Sequence, residues 1–280
     1  MKVGVIDVGG GSRDIFGAGV FDYCLDHGIT FDYCLGISAG SANLANFLSG
    51  QRGRNYVFYT DYFFRKEYSS VYNLLTKKNY VDLDYIYSTL SNSDGENPFD
   101  YEAFTANPVD LIIGSTDAET AEPVYFTKKD MTKDSYDAMK ASSCLPVICR
   151  AYAVDGRPCF DGGLSNPIPV RKALAEGCDK VVLILTRPKH GFRKSKKDLR
   201  FAKVLRHSYP AVAKALENRA ALYNSQLRDA IRLEREGRVL ILAPDDIMGM
   251  GTLTKDREKL RILYEKGMNE ARKLSRFLEV

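Results

Sequence analysis

Histidine is scarce in this chain. Only His27, His190 and His207 occur in 280 residues, so chemistry that needs an imidazole base has three places to find one. His27 closes a helix-like run and reads as a C-terminal cap, while His190 and His207 stand in a basic stretch typical of solvated surface. No apolar run reaches about 18 residues, which argues against a transmembrane helix. The N-terminus, Met1-Lys2-Val3-Gly4-Val5-Ile6-Asp7, enters a strand pattern at once and lacks the charged, apolar and cleavage regions of a signal peptide. The six cysteines form no Cys-x-x-Cys pair, lie mostly in apolar runs, and read as reduced core residues of an intracellular protein. No Asp/His cluster has metal-ligand spacing. The net charge of +4 is too mild to imply a nucleic-acid partner.

What remains is the composition of an ordinary globular protein, 45% hydrophobic and 27% charged, long enough to bury one large core. Residues 2–8 predict a strand, 9–14 a glycine-rich turn, and 15–27 a helix ended by Gly28. Residues 31–36 predict a second strand and 39–48 a second helix, so the opening reads βαβ with a parallel pair. Phe-Asp-Tyr-Cys-Leu occurs at 21–25 and again at 31–35, too short a period for a structural repeat. Residues 91–107 read mainly as loop. Strands follow at 109–115 and 122–127, then a helix at 135–143 and a hairpin, 152–154 with 157–160, around Asp155-Gly156. A helix at 170–176, strands at 180–186 and 238–243, and long helices over 200–236 and 254–278 complete an α/β pattern with a mainly parallel sheet.

Two stretches admit two readings each. Residues 56–87 hold eleven aromatics; helices packing a core face account for them, and so does the wall of an apolar acyl pocket or a membrane-facing lid. Between 187 and 206, nine Lys and Arg residues are opposed only by Asp198, which describes either a solvated basic loop or a patch attracted to anionic lipid head groups.

Three short motifs carry chemistry. Gly36-Ile37-Ser38-Ala39-Gly40, between a strand and a helix, is the context that lifts a serine hydroxyl clear of the backbone as a nucleophile. Gly9-Gly10-Gly11 offers unobstructed backbone N–H groups, a nest for an oxyanion or a phosphate. Asp161-Gly162-Gly163, at a strand end before a proline-bracketed loop, is more specific than a connection needs. Ser38, Asp161 and His190 stand in the chain order of an α/β-hydrolase triad. The other choice is Asp161 acting on Ser38 directly, which requires burial to raise its basicity.

Gly9-Gly10-Gly11-Ser12-Arg13, Gly36-Ile37-Ser38-Ala39-Gly40 and Asp161-Gly162-Gly163 together resemble, in order and spacing, the signatures of the patatin-like phospholipases, most of all the bacterial patatin-like serine esterases. Ala141-Ser142-Ser143-Cys144-Leu145-Pro146 resembles the alanine-serine-proline segment ahead of that family's aspartate. The likeness covers about residues 3–186. It implies a three-layer α/β/α fold with a mainly parallel central sheet, in one catalytic domain over 1–280 whose part from about 200 is helical. It implies hydrolysis of lipid acyl esters, of phospholipase A or lysophospholipase type, with no metal and no cofactor. By the same likeness Ser38 is the nucleophile and Asp161 its general base. Gly9, Gly10, Gly11, Ser12 and Arg13 form the oxyanion hole, and Gly36, Gly40, Gly162 and Gly163 support it. The protein is then expected to be a cytoplasmic enzyme of lipid degradation, touching anionic membrane peripherally through 187–206 and binding no nucleic acid.

One departure stands out: the family usually has glycine after the arginine, where this chain has Asp14, a residue able to pair with Arg13 or to cap the helix from Ile15. Three other readings compete. A general small-ester hydrolase would use the Ser38/Asp161/His190 triad. A protein of the same fold without catalysis would bind lipid surfaces. An actin-like ATPase or polyphosphatase would use Asp7 and residues 9–12 for metal and phosphate, but it leaves the Ser38 and Asp161 motifs unexplained.

Overall fold

Runs of Val, Ile and Leu without polar alternation favour strands buried on both faces. The structure, a computed structural model describing residues 1–278, builds its central sheet from such runs. The strands are β1 (Val3–Asp7), β2 (Tyr33–Ile37), β3 (Leu111–Asp117), β4 (Pro123–Phe126), β5 (Tyr152–Val154), β6 (Arg157–Asp161), β7 (Lys180–Ile184) and β8 (Val239–Leu242). Their hydrogen-bonded order is β5-β6-β3-β2-β1-β7-β8, with β4 also on β3. From β3 to β8 all neighbours are parallel, and the three pairs β3/β4, β3/β6 and β5/β6 are antiparallel.

The register of β3 sets up everything that follows. Ile113 pairs with Gly36 on one side and Phe126 on the other, while Ser115 pairs with Val124 and Asp161. β4 therefore fills one edge of β3, and the other edge is shared end to end by β2 and β6. Ile37 sits opposite Gly114 and Asp161 opposite Ser115, so the residue that follows β2 and the residue that ends β6 arrive at the same place.

Side chains alternate between two cores. Val3, Val5, Cys34, Val182 and Ile184 pack with the helices Ile15–Asp26 and Ala39–Leu48, while Ile6, Leu35, Ile37, Val181 and Leu183 pack with Val170–Ala175 and Pro210–Arg235. The expected three-layer α/β/α arrangement is what the chain adopts. Some local expectations need correction. Residues 91–107 contain a helix, Tyr101–Ala106, started by Asp100, whose side chain accepts from Ala103 N–H. The helix expected over 200–236 is two, Lys196–Leu205 and Pro210–Arg235, since Pro210 begins a helix but cannot continue one. That over 254–278 divides likewise into Arg257–Ala271 and Lys273–Leu278. The 56–87 stretch folds as short pieces, Arg54–Thr60, Val71–Lys77 and a π-helical turn Tyr85–Leu90.

The C-terminal helix Arg257–Ala271 lies against Ile15–Asp26 at backbone contact. A Cβ at Gly267 would stand 2.0 Å from the Phe16 carbonyl oxygen, and one at Gly19 would stand 2.2 Å from that of Tyr264. Tyr264 also donates to Asp22 Oδ2 at 2.7 Å. Gly267→Ala, which overpacks this crossing, is expected to cost about 1–3 kcal/mol. Thermal unfolding followed by circular dichroism should show a lower midpoint; an unchanged midpoint would mean the two helices slide apart freely.

Candidate active site

Ser38 stands between the end of β2 and the helix Ala39–Leu48 with φ 57° and ψ −133°, a strained geometry for a residue with a side chain. Its neighbours hold it there. The Ser38 N–H donates to Ser142 Oγ at 2.8 Å, and Ser142 Oγ donates to the Gly114 carbonyl at 2.6 Å. The Ser38 carbonyl accepts from Ser41 N–H at 3.0 Å and Ser41 Oγ at 2.7 Å. A Cβ at position 40 would come within 2.4 Å of the Asp7 carbonyl, and one at 36 within 2.4 Å of Ser41 Cα, so the turn closes only with glycine at both places.

Asp161 reaches the same spot from β6. Its N–H donates to the Cys144 carbonyl at 2.8 Å, its Oδ1 accepts from Gly163 N–H at 2.8 Å, and the Ser38 hydroxyl lies near enough to favour its charged form. The side chain is buried, and burial raises its pKa above the ordinary carboxylate range, against the pull of the nearby Arg219 guanidinium and of these donors. Arg219 Nε in turn donates to the Gly163 carbonyl at 2.7 Å.

The glycine-rich turn flanks Ser38 on its other side. Gly9 N–H donates to Asp7 Oδ1 at 3.1 Å, and Ser12 N–H to the Thr252 carbonyl at 2.8 Å. Arg13 lies inside the single 3-10 turn Gly11–Asp14, and its Nε donates to the Thr186 carbonyl at 3.2 Å. The N–H groups of Gly10 and Gly11 are left without an acceptor among the described residues. Of the five residues 9–13, only these two present free donors beside Ser38. Gly162 and Gly163 open the 3-10 turn that follows Asp161.

Two cavities meet at Ser38. One, about 80 Å³, is an apolar slot walled by Ala45, Phe58, Tyr59, Phe63, Tyr68 and Leu83. The other, about 480 Å³ and more polar, is bounded by Gly10, Asp161, Arg187, Arg193 and Arg219. Phe63 and Tyr68 of the aromatic stretch are buried core residues that also line the slot. The basic stretch is not simply solvated: Arg187 and Arg193 turn inward, and Arg193 forms a two-pronged pair with Asp198 at 2.9 and 3.0 Å. Ser142, Thr186, Arg219 and Thr252 were not singled out from sequence. Ser142 alone carried a signal, its place in the alanine-serine segment.

The histidines stay outside. His27 caps its helix with Nδ1 2.9 Å from the Tyr23 carbonyl, while His190 and His207 are exposed and line neither cavity. Among the described residues no group of three or more His, Cys, Asp or Glu is placed to hold a metal ion, and no helix is long and apolar enough to cross a membrane.

The family description Patatin-like phospholipase matches residues 8–174. The chain belongs to the patatin-like phospholipase family. A second description, Domain of unknown function (DUF6363), matches residues 209–279. The uncharacterized protein YjjU of Escherichia coli (strain K12) is 30% identical over 191 residues, 67% of this chain and 52% of the relative. The chain thus spans about half the length of that curated relative. Among solved structures, the crystal structure of VipD from Legionella pneumophila aligns with a TM-score of 0.48 at 13% identity, over 98% of this chain and 66% of the other.

Asp14, the departure from the patatin-like pattern, does neither thing expected of it. It gives the following helix no side-chain cap, and Arg13 points away toward Thr186. It is fully buried beside Asp7, to whose Oδ2 Asn43 also donates at 3.1 Å. As a carboxylate it would have no donor at either oxygen; protonated, it donates to Asp7. Burial, and then the charge of Asp7, push its pKa well up, and burial raises Asp7 to about 6. In the unfolded chain Asp14 loses its proton near pH 4. Above that, the folded state binds more protons than the unfolded one, so the residue's contribution to stability falls as pH rises toward its folded value. Asparagine donates to Asp7 at every pH. Asp14→Asn is therefore expected to raise the melting temperature over the parent by a margin that grows as pH rises above about 4. A margin flat in pH, by scanning fluorimetry, would mean that Asp14 is charged in the folded protein.

Proposed function

We propose that the protein hydrolyses acyl esters of lipids through a Ser38–Asp161 dyad, with Gly10 and Gly11 as the oxyanion hole. The observation that carries this reading is the junction itself. A serine in strained backbone geometry and a buried carboxyl of raised pKa line one cavity, beside two backbone donors with no other acceptor among the described residues. Family membership supports a lipid acyl hydrolase. The exposed position of His190 favours the dyad over a triad.

In this mechanism Asp161 takes the Ser38 proton as Oγ bonds to the ester carbonyl carbon. The negative charge that develops on the carbonyl oxygen is met by the Gly10 and Gly11 N–H groups, donors already aimed before the reaction begins. Collapse breaks the carbon–oxygen bond to the alcohol, which leaves with the proton from Asp161. Water, deprotonated by Asp161, then bonds to the acyl carbon; the bond to Ser38 Oγ breaks, Oγ takes the proton back from Asp161, and the acid is freed. Burial makes Asp161 more basic than an ordinary carboxylate, and Arg219 keeps it ionisable. The two matched segments, 8–174 and 209–279, act in this reading as one catalytic unit over the whole chain, because Arg219 and Thr252 reach the same site.

The lipid is met at a surface. Val71, Tyr72, Leu74 and Leu75 are exposed on the helix Val71–Lys77, next in the chain to Tyr68 of the slot, and Leu199 and Val204 are exposed among the lysines of Lys196–Leu205. Together these suit peripheral contact with an anionic membrane from the cytoplasmic side.

Ser38→Ala and Asp161→Asn should each lower kcat on a p-nitrophenyl acyl ester by about 10³-fold or more, with the fold intact by circular dichroism. His190→Ala should stay within about twofold, and EDTA should leave the rate unchanged. Loss of activity in His190→Ala as deep as in Ser38→Ala would replace the dyad by a triad. Ala45 stands seven residues along the helix from Ser38, about 10 Å at 1.5 Å per residue, and lines the slot. Ala45→Phe should therefore depress kcat/KM for long-chain esters by about tenfold more than for acetate or butyrate esters. An equal effect on all chain lengths would place the acyl chain elsewhere.

A further inference from the structure

An ester with its carbonyl at Ser38 and its acyl chain in the apolar slot sends its alcohol half into the polar cavity. The inference below rests on the hydrolase reading just given. Five cations line that cavity, Arg13, Arg187, Arg193, Lys197 and Arg219, against two carboxylates, Asp161 and Asp198. Both carboxylates are engaged. Asp161 accepts from Gly163 N–H and faces the Arg219 guanidinium, while Asp198 is gripped by Arg193 and lies 3.8 Å from Arg219.

The remaining cations have no counter-charge. Arg187 is half-buried and makes no hydrogen bond or ion pair with any described residue. Arg13 is 4% exposed, reaches only the Thr186 carbonyl and the Thr252 hydroxyl, and has no carboxylate partner among the described residues. Lys197 stands at the mouth over the Phe201 ring. Cations this close depress one another: burial and then Arg187 lower Arg13 to about 9, and burial and then Arg193 lower Arg219 to about 10. A guanidinium held out of water without an anion is costly, and its planar fork matches the oxygens of a phosphate.

We propose that this cavity binds a phosphate group carried by the alcohol half of the ester, so that the protein selects acyl esters of anionic phosphorylated alcohols over zwitterionic and neutral ones. A zwitterionic head would bring a second positive charge among five cations and find no free carboxylate. For a quaternary ammonium the lining offers only Phe201 and Tyr223, short of an aromatic cage. The cations come from the turn Gly11–Asp14, the end of β7, the segment before Lys196–Leu205, that helix itself and the helix Pro210–Arg235. The site is thus built by converging elements.

The test compares 1-acyl-glycerol 3-phosphate, 1-acyl-glycerophosphocholine and 1-acyl-glycerol with one acyl chain. The parent is expected to favour the first by about tenfold or more in kcat/KM over each of the others. Arg187→Gln should cut that ratio about tenfold, mainly through KM, and Arg187→Lys should restore part of it. No preference in the parent, or an equal loss on all three substrates in Arg187→Gln, overturns the proposal. Calorimetry on Ser38→Ala separates it from the hydrolase reading: glycerol 3-phosphate should bind, and adding Arg187→Gln should weaken it about tenfold. Inorganic phosphate binding as tightly as glycerol 3-phosphate would overturn the head-group assignment. Arg187-dependent binding with no hydrolysis of any ester would leave the anion site standing and remove the hydrolase, and hydrolysis with no anion binding would do the reverse.

Discussion

The backbone of Gly40 rests against the carbonyl of Asp7, and that contact fixes the distance between the first two strand ends. No side chain fits between them. The turn at Ser38 is therefore tied to the turn that follows β1, which puts Gly10 and Gly11 beside the serine hydroxyl. Because β2 must stop at that turn, the edge of β3 beyond Gly114 is free, and β6 fills it with Asp161 as its last residue. One close approach of backbone to backbone thus determines where the hydroxyl, the carboxyl and the free N–H groups stand relative to one another. Strain at Ser38 persists because the Ser142 and Ser41 bonds over-determine it.

Buried acids on either side of this turn meet opposite fates. Asp161 and Asp14 are both removed from water, and burial raises both. Asp161 has Arg219, the Gly163 N–H and an open cavity, so its charged form remains within reach. Asp14 faces another carboxyl, whose charge adds to burial in pushing its pKa up. What surrounds a carboxyl, and not its depth alone, decides how readily it ionises.

Much of this was legible in the sequence because the informative pieces are local. A strand, a glycine turn and a helix can be read from a dozen residues, as at 2–14 and 31–41, and the Asp155-Gly156 hairpin turns where its residues allow. What escaped needs tertiary partners. The run from Arg187 to Arg206 does not say which of its arginines Asp198 holds or which turn inward, since that also depends on Asp161 and on a helix that begins at Pro210. Asp14 was weighed against its neighbour Arg13, but its partner Asp7 meets it across the turn. The helix Tyr101–Ala106 is six residues long, and its Asp100 cap was outweighed by the preceding Gly, Asn and Pro.

The clamp of Thr252 on Ser12, with Gly251 accepting from the Ser12 hydroxyl, has a consequence in time. A ribosome releases residues 9–13, 38 and 161 long before it reaches 252. The growing chain therefore carries every signature residue while the N–H of Ser12 still lacks its acceptor and Arg13 lacks the hydroxyl of Thr252. The glycine-rich turn is finished last, although it is made first, so a partly synthesised chain is kept from the finished loop geometry until its final quarter has folded back.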